Sequence, residues 1–450
     1  MSIDFLPLST HAPDSVLAYG PGGAVTVETF FRQAVQLAAS MPPGRHVLNT
    51  CQDRYLFMLG LAAALIDGRP TLMPSSFTLG TLEQIRSRYA EVICLHDGHQ
   101  QAEGITGWQI DDQTIGPDLG DLTVPAIPEG QIAAIVFTSG STGEPTAHIK
   151  RWGRLCLNGA SEAQRLGSAG HTIVATVPAQ HMYGFESSVL LTLHGGSSLW
   201  RGRPFYPADI EAALAACPQP RMLVTTPFHL SNVVNSGSSM PPCDLLLCAT
   251  APLSVGLAAT AEAFFQSPLF EIYGCTESGQ VASRRTTDGP TWQLLPGLAM
   301  SCDGDQTWVS GGHVEGRVAL TDTIAEIDDD RFQLGDRHSD MVNIAGKRAS
   351  LAALSATLRG MVGVDDGCFL LPDTGRALST EGVQRLAALV VAPSVGERQI
   401  LNALRQEIDP AFLPRPLLKV NALPRNATGK LLANEIQALY RAERVKGEHR

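Results

Sequence analysis

The sequence lacks the marks of membrane, disulfide-rich and zinc-binding proteins. Its longest apolar run, LFMLGLAAALI at 56–66, is shorter than the ~20 residues that a membrane-spanning helix needs. Nine cysteines are scattered without a CxxC pair or a Cys/His cluster, which argues against a disulfide framework or a zinc site and for a reducing compartment. The opening segment MSIDFLPLSTHAPDS has no basic region and no small-residue cleavage site, so we expect no secretory signal and a cytoplasmic protein.

Internal repeats, low-complexity tracts and long basic runs are also absent. With 44% hydrophobic and 17% charged residues, the 450-residue chain has a globular composition and enough length for two or three domains. The net charge of −11 and the missing RNA-binding signature argue against a nucleic-acid partner. Residues 342–450 nevertheless hold 15 Lys+Arg against 10 Asp+Glu. This excess suits an acidic protein or a phosphorylated ligand, although a solvated charge fluctuation explains it equally well.

Short β-rich apolar runs alternate with helical patterns over most of the chain. HVLNT at 46–50 precedes a helical pattern at 53–68, and RMLVTT at 221–226 precedes PFHLSNVVNSG at 227–237. Such alternation predicts α/β sheets with covering helices. After about residue 341 the pattern changes to that of a small α+β unit, so we expect a domain boundary near Asp340.

Two loops carry residues suited to chemistry. The stretch FTSGSTGEP at 137–145 follows the buried-strand pattern Ile132–Phe137, and its glycines and hydroxyls suit an anion-binding nest, with a Ser/Gly linker as the alternative. It is not a P-loop of NTPases, because Glu144 and Pro145 follow Gly143 where that motif requires Lys-Ser/Thr. The second stretch, EIYGCTES at 271–278, offers an aromatic ring for a base, a hydroxyl for phosphate and a carboxylate for Mg²⁺, or is an ordinary turn.

Three further stretches complete an ordered set of five that resembles the motifs of the adenylate-forming superfamily, which comprises acyl- and aryl-CoA synthetases, adenylation domains and luciferases. In chain order the stretches are TSGSTGEP at 138–145 for the phosphate loop, YGCTES at 273–278 for YGxTE, LTD at 320–322 for TGD, DRHSDMVNIAGKR at 336–348 for the hinge and LPRNATGKLL at 423–432 for the terminal PxxxxGK motif. The resemblance implies an α/β adenylate-forming fold with a large N-terminal core at 1–338, a hinge at 339–341 and a small mobile α+β domain at 342–450.

The sequence departs from this pattern at several positions. Thr146 and Ala147 stand where the phosphate loop has lysine and glycine, so His148 or Lys150 is expected to supply positive charge there. In the other two motifs the departures are Thr321 for the TGD glycine, Asp336 for the first hinge glycine and Ser339 at a position that is often Asp. Either Ser339 or Asp340 would then be the pivot.

The reaction that the resemblance implies has two halves. A carboxylate attacks the α-phosphorus of Mg·ATP and gives an acyl-adenylate and pyrophosphate, and a thiol then displaces AMP to form a thioester. The expected contacts are the β/γ-phosphates for Thr138, Ser139, Gly140, Ser141, Thr142 and Gly143, the α-phosphate for Thr276, Mg²⁺ for Glu277, adenine for Tyr273 and Gly274, ribose for Asp322, and ribose or phosphate for Arg337. Because the carboxylate and ATP are both anionic, catalysis would depend mainly on electrostatic clamping and alignment.

Lys430 is the main catalytic candidate. By resemblance it bridges the acyl carboxylate and the α-phosphate during adenylation only, and rotation of the small domain then brings Gly346 to the pantetheine tunnel. His181 and Tyr183, in PAQHMYGFESS at 178–188, are expected beside the acyl pocket; a structural histidine is the alternative reading.

The motif variants also bear on the acid and the thiol. The short chain and its motif variants resemble the synthetases of bacterial aryl polyene and xanthomonadin-type pigment pathways, which implies a hydroxybenzoate or hydroxycinnamate as the acid and an acyl carrier protein or CoA as the acceptor. A fatty acyl substrate is the rival within the family, and a non-catalytic nucleotide-binding protein is the rival outside it. A Ser/His/Asp hydrolase is disfavoured because the sequence has no GxSxG elbow.

Overall fold

The computed structural model describes residues 4–74, 76–111, 124–139, 145–303, 306–337, 341–344, 347–372, 385–426 and 429–448. The chain divides into two compact units. The first consists of Met1–Asp303, Trp308–Ala319 and Ile327–Phe332, and the second of Gly304–Thr307, Leu320–Glu326 and Gln333–Arg450. In the described part of the chain, we find no helix with both the length and the apolarity to span a membrane.

Twelve α-helices lie in the described residues: α1 (Val27–Ser40), α2 (Arg54–Ile66), α3 (Leu79–Arg88), α4 (Trp152–Leu166), α5 (Met182–Gly184), α6 (Leu191–His194), α7 (Pro207–Ala216), α8 (Pro227–Val234), α9 (Val255–Phe265), α10 (Leu351–Arg359), α11 (Glu397–Glu407) and α12 (Ala433–Glu448). A π-helical segment, Phe185–Leu190, joins α5 to α6, and short 3-10 turns lie at Thr286–Asp288 and Pro410–Phe412.

The described strands of the first half are β1 (Phe5–Pro7), β2 (Val16–Gly20), β3 (Gly23–Thr26), β4 (His46–Asn49), β5 (Thr71–Met73), β6 (Val92–His96), β7 (Thr106–Gln109), β8 (Ala126–Pro128), β9 (Ile132–Ser139), β10 (Pro145–Arg151), β11 (Thr172–Ala175), β12 (Ser198–Trp200) and β13 (Arg221–Thr225). Those of the second half are β14 (Leu245–Cys248), β15 (Leu269–Cys275), β16 (Gly279–Arg285), β17 (Thr291–Leu294), β18 (Leu298–Asp303), β19 (Gln306–Gly311), β20 (Arg317–Ala319), β21 (Asp322–Glu326), β22 (Arg331–Arg337), β23 (Met341–Ile344), β24 (Lys347–Ser350), β25 (Asp366–Leu370), β26 (Ala387–Val391) and β27 (Leu417–Lys419).

Two sheets organise the first unit. The smaller has the order β10-β9-β5-β4-β6-β7, and within this unit the larger runs β17-β16-β15-β14-β13-β11-β12-β2-β3. Helix α2 packs in the core that both sheets share, and every one of its residues except the last is buried. Its sequence is apolar on all sides for this reason, and Asp53 starts the helix by accepting the backbone N–H of Leu56 at 3.0 Å.

The centre of the larger sheet is parallel and has a core on each face. Strands β12, β11, β13, β14 and β15 pair in parallel in that order. Along β11, the side chains of Ile173 and Ala175 lie in one core, together with residues of the π-helical segment Phe185–Leu190. The side chain of Val174 lies in a second core, on the other face of the sheet, with residues of α7, α8 and α9. Continuous apolar runs such as those of β13 and β14 are therefore buried on both faces, as parallel strands require. The prediction of an α/β fold is confirmed.

The second unit has its own cores around the sheet β25-β26-β27. Phe369 of β25 faces a core with α10 and α11, whereas its neighbours Cys368 and Leu370 face a core with Tyr440 of α12. Helix α10 begins at Ser350, which accepts the N–H of Ala353 at 3.2 Å. This unit has the α+β character expected for the C-terminal part of the sequence.

Candidate active site at the carboxyl ends of the parallel strands

The larger sheet changes its winding direction between β11 and β13. The chain leaves β11 for β12 on one side, then crosses back to β13 on the other side and continues to β14 and β15. In open α/β sheets ligands bind outside the carboxyl ends of the strands at such a switch point. The predicted site residues His181, Tyr273, Thr276 and Glu277 all follow or end strands at this edge.

The loop after β11 is held tightly in place. Arg54, fully buried at the start of α2, donates to the carbonyls of Ala175 and Val177 at 3.0 and 2.7 Å and to Ser188 Oγ at 2.7 Å. Gly184 is required here, because a Cβ would collide with the carbonyl of Pro178. The buried guanidinium of Arg54 and the close backbone contact at Gly184 therefore fix the position of His181.

Tyr183 and His181 occupy different environments in this loop. The hydroxyl of Tyr183 donates to the carbonyls of Thr225 and Leu247 at 3.1 and 2.9 Å, at the ends of β13 and β14. The ring therefore serves as a spacer between the strand ends. Burial and the neighbouring charge of Arg203 lower the pKa of His181 to about 4, so its imidazole is neutral at pH 7.

The turn after β15 depends on two glycines. Strands β15 and β16 pair in an antiparallel hairpin with an irregularity at Tyr273/Gly274, where a Cβ on Gly274 would meet the backbone of Gly279 and Gln280. Gly279 has φ +75°, a conformation that other residues rarely adopt. The hairpin so formed presents Thr276, half-buried, and Glu277, exposed, at its tip.

Tyr273 belongs to an aromatic cluster below this tip. Its ring centroid lies 5.8 Å from that of Trp292 and 6.1 Å from that of Phe332. The ring is half-buried, so one part remains open for a planar ligand while the neighbours hold it in place. This environment fits the expected contact with adenine.

A polar network joins the tip to the hairpin of β9 and β10. Thr138 Oγ1 lies 2.9 Å from His148 Nε2, and that nitrogen lies 3.5 Å from Glu277 Oε1. Lys150, two residues along the same face of β10, donates from Nζ to the carbonyl of Glu277 at 3.0 Å. The residues expected to replace the missing loop lysine thus both contact Glu277.

The network keeps the Glu277 carboxylate ionised. Partial burial raises the pKa of Glu277, but hydrogen bonds from its own N–H and from Cys275, with the charges of His148 and Lys150, outweigh burial and leave the pKa below its usual value. An ionised, partly exposed carboxylate is a suitable Mg²⁺ ligand. Glu277 fits its expected role.

Behind the tip lies a buried acidic pair that the sequence did not reveal. Glu162 and Glu186 are almost completely buried, and Ser187 Oγ donates to Glu162 Oε1 at 2.7 Å. Burial raises the pKa of Glu162 to about 7 and that of Glu186 to about 8, while Lys150 opposes the shift at Glu186. Glu162 lies in no motif, and Glu186 had no role assigned to it within PAQHMYGFESS at 178–188, so only the fold identifies the pair.

Several predicted site residues belong to the phosphate loop and the hinge. Gly140, Ser141, Thr142 and Gly143 of the phosphate loop lie outside the described residues, as do Ser339, Asp340 and Gly346 of the hinge and tunnel. Ser139 ends β9 and Arg337 ends β22, but their side chains are not described. Their expected roles stay predictions.

In the second unit, Lys430 stands on a short closed turn. The backbones of Asn426 and Lys430 pair at 3.0 Å, and Asn426 Oδ1 accepts the N–H of Lys430 at 2.9 Å. Arg425 donates to the carbonyl of Gly429 at 2.6 Å and forms an ion pair with Asp366 at 2.7 Å. Lys430 itself is exposed, and the hydrogen bonds of Asn426 and Arg425 hold the backbone on either side of it.

The ribose candidate of the same unit is Asp322. It begins β21 and accepts from Thr321 Oγ1 at 3.5 Å. A hydroxyl residue in place of the motif glycine therefore contacts the carboxylate. The structure places Asp322 and Lys430 in the second unit, and His181, Tyr273, Gly274, Thr276 and Glu277 in the first.

Comparison with known proteins identifies the family. The model of the family described as AMP-binding enzyme matches residues 35–330, more than half of the chain. The chain belongs to the AMP-binding enzyme family. This AMP-binding enzyme is similar to the 4-coumarate–CoA ligase of Rhodobacter capsulatus, with 27% identity over 304 residues that make up 66% of this chain and 74% of the relative.

Two further comparisons extend this result. The p-hydroxybenzoic acid–AMP ligase of Mycobacterium marinum is 26% identical over 367 residues, which cover 71% of this chain and 51% of the relative. The o-succinylbenzoate CoA synthetase of Bacillus subtilis, solved with its acyl-adenylate, matches with a TM-score of 0.80 at 17% identity over 97% of this chain and 99% of that one. The structural match shows the fold alone. The predictions of an adenylate-forming fold and of an AMP-forming acid–thiol ligase that uses ATP are confirmed.

Proposed function

We propose that this AMP-binding enzyme activates an aryl acid, with a hydroxybenzoate as the preferred candidate, and transfers it to the pantetheine thiol of an acyl carrier protein or CoA. The products are a thioester, AMP and pyrophosphate. The observation that carries the proposal is the contact of His148 and Lys150 with Glu277. It joins the phosphate-loop hairpin to an ionised carboxylate at the ligand-binding edge of the sheet.

The residues of the first unit would work mainly by alignment. Thr276 would contact the α-phosphate and Glu277 would hold Mg²⁺, which supplies neutralising charge to the phosphates. Lys150 fixes the backbone of Glu277 through its 3.0 Å hydrogen bond, and Tyr273 offers its ring to adenine. These groups are positioned before the substrates arrive, so little reorganisation is needed during the reaction.

Lys430 would supply the remaining positive charge during adenylation. Its turn is held by Arg425 and Asn426, which limits the freedom that the ammonium loses on binding. Rotation of the domain at 342–450 about the hinge at 339–341 would then withdraw Lys430 and bring Gly346 to the thiol. Asp322 and Arg337 would contact the ribose.

The proposed acid and acceptor follow from the named relatives and from the charge of the C-terminal part. The names of the two sequence relatives, which act on 4-coumarate and p-hydroxybenzoic acid, support a hydroxylated aryl acid. The basic residues of the C-terminal part suit an acidic carrier protein and suit the phosphates of CoA nearly as well. We place the enzyme in the cytoplasm, in the formation of a pigment of the aryl polyene or xanthomonadin type.

ATP–pyrophosphate exchange across a panel of hydroxybenzoates, hydroxycinnamates and fatty acids tests the proposal. We expect exchange with the hydroxylated aryl acids, and thioester formation once CoA or carrier protein is added. Exchange with fatty acids alone would favour the fatty acyl alternative, whereas binding of ATP without exchange for any acid would favour a non-catalytic nucleotide-binding protein.

A further inference from the structure

Two histidines follow the strands that flank the switch point between β11 and β13. His181 follows β11, and His229 lies in the first turn of α8, directly after β13. General sheet topology places a ligand crevice between the ends of these two strands. The end of β15, where Thr276 and Glu277 stand, is two strands away, or about 10 Å at the usual strand spacing.

His229 has an unused hydrogen-bonding atom. The side chain is 1% exposed, and Nε2 has no hydrogen-bond partner among the described residues. Thr226 Oγ1 accepts the backbone N–H of His229 at 3.4 Å and lies 3.0 Å from its Nδ1. Where the Thr226 hydroxyl donates its own proton to Nδ1, the ring proton lies on Nε2, and that nitrogen is then a donor. A buried donor of this kind requires an acceptor.

Arg203 supplies a positive charge beside this donor. It lies two residues before Phe205, whose ring centroid is 4.9 Å from that of His229. The pKa of His229 is lowered to about 4 by burial and by Arg203, and the same guanidinium lowers the pKa of His181. Among the described residues no carboxylate forms an ion pair with Arg203, and partial burial lowers its own pKa.

Two aromatic rings border the same place. Phe205 and Phe228 are 41% and 44% exposed, and both rings stand edge-on to the imidazole of His229, at 4.9 and 5.4 Å. Exposed rings next to an unused donor and an unpaired cation favour a ligand with a flat apolar body and an oxygen acceptor.

We propose that Arg203 and His229 form a subsite for an oxygen substituent on the ring of the acid, at the end remote from the carboxylate that is activated. The substituent is a hydroxyl or an anionic oxygen, which accepts hydrogen bonds from the guanidinium and from Nε2 while the ring packs against Phe205 and Phe228. The inference rests on the proposed function, since it requires the reacting carboxylate to lie near Thr276 and Glu277. The separation of about 10 Å between the strand ends is closer to the length of a hydroxycinnamate than to that of the shorter hydroxybenzoate.

Binding can be measured without turnover. Isothermal titration calorimetry of the full chain with 4-hydroxybenzoate and benzoate, and with 4-hydroxycinnamate and cinnamate, gives the preference for the hydroxyl within each pair. We expect wild type to prefer the hydroxylated acid by about 10-fold or more, as for a hydrogen bond to a charged group. Arg203→Met should abolish most of this preference and leave the affinity for the unsubstituted acid within about 2-fold, and Arg203→Lys should restore part of it.

Arg45→Met provides a matched control. Arg45 is an exposed arginine whose ion pair with Glu91 spans 3.3 Å, and its loss should change neither affinity nor preference. His229→Phe removes the Nε2 donor, and thermal denaturation shows whether that variant folds. Because Arg203 is exposed, Arg203→Met tests the subsite even if His229→Phe is unstable.

Several outcomes would overturn the subsite. These are equal affinity of wild type for both members of each pair, no binding of either acid, or an equal loss for both members in Arg203→Met. A raised KM for CoA in that variant, with acid binding unchanged, would assign Arg203 to a phosphate of the thiol donor instead. Hydroxyl-selective binding without pyrophosphate exchange would refute the proposed function and leave the subsite standing.

Discussion

Removing the ammonium of Lys150 is expected to slow adenylation without unfolding the enzyme. Lys150 Nζ donates to the carbonyl of Glu277 at 3.0 Å, and a hydrogen bond that involves a charged group contributes about 1.5–3 kcal/mol. At ~1.4 kcal/mol per tenfold change, misalignment of Glu277 should lower kcat/KM for pyrophosphate exchange by about 10- to 150-fold in Lys150→Met. The requirement for Mg²⁺ should rise as well, because Glu277 is the expected ligand.

The assay compares three variants at several Mg²⁺ concentrations. Lys150→Arg keeps a charged donor and should recover part of the rate. Lys419→Met is the matched control, since Lys419 Nζ also donates to a backbone carbonyl, that of Val395 at 2.8 Å, but outside the site. Wild-type kinetics and unchanged Mg²⁺ dependence in Lys150→Met would refute the alignment role, as would a loss of equal size in Lys419→Met.

Three further changes test other parts of the account. Lys430→Ala should reduce adenylate formation by about 10²–10³ and spare thioester formation from supplied acyl-adenylate; an equal loss in both half-reactions would contradict its role. Arg425→Ala breaks the ion pair with Asp366 and the hydrogen bond to the carbonyl of Gly429. It should lower the rate of adenylation, measured by pyrophosphate exchange, about 10-fold. The melting temperature of the first unit, measured by calorimetry, should stay constant. Stability should peak near pH 6.5. Below that pH it falls because four histidines with folded-state pKa values near 4 must accept protons on unfolding. Above it stability falls because Glu162 and Glu186, with pKa values raised to about 7 and 8, bind protons only in the folded state. Glu186→Gln should flatten the fall between pH 6.5 and 8 in thermal melts, and an unchanged slope would show that Glu186 does not cause it.

Local sequence patterns predicted the secondary structure correctly where it depends on a few adjacent residues. The buried-strand pattern at 132–137 lies within β9, and Pro207 at the first turn of α7 marks that helix as expected. The YGCTES stretch was placed correctly as a tight turn, because Gly274 and Gly279 are required by their own backbone environment. Such features depend on a few adjacent residues.

Contacts between segments that are distant in the sequence could not be predicted from sequence patterns. Arg203 and Glu162 lie in no motif, and Glu186 had no role assigned to it within PAQHMYGFESS at 178–188. An arginine or glutamate in a sequence is most often solvated. Only the order of the parallel strands brings Phe205, two residues after Arg203, next to His229. Only packing of the π-helical segment Phe185–Leu190 removes Glu186 from water. Sequence reasoning left His148 and Lys150 as alternatives, and the fold shows that both contact Glu277.

The sequence by itself determined the family, the ordered motifs and the residue types that the reaction needs, because these are written in short contiguous stretches. The tertiary structure alone decided which charges are buried, which polar atoms lack partners and which strand ends meet. The reason is physical: a pKa or an unused donor depends on every group within a few ångströms, and those groups come from segments more than a hundred residues apart, as with Lys150 and Glu277.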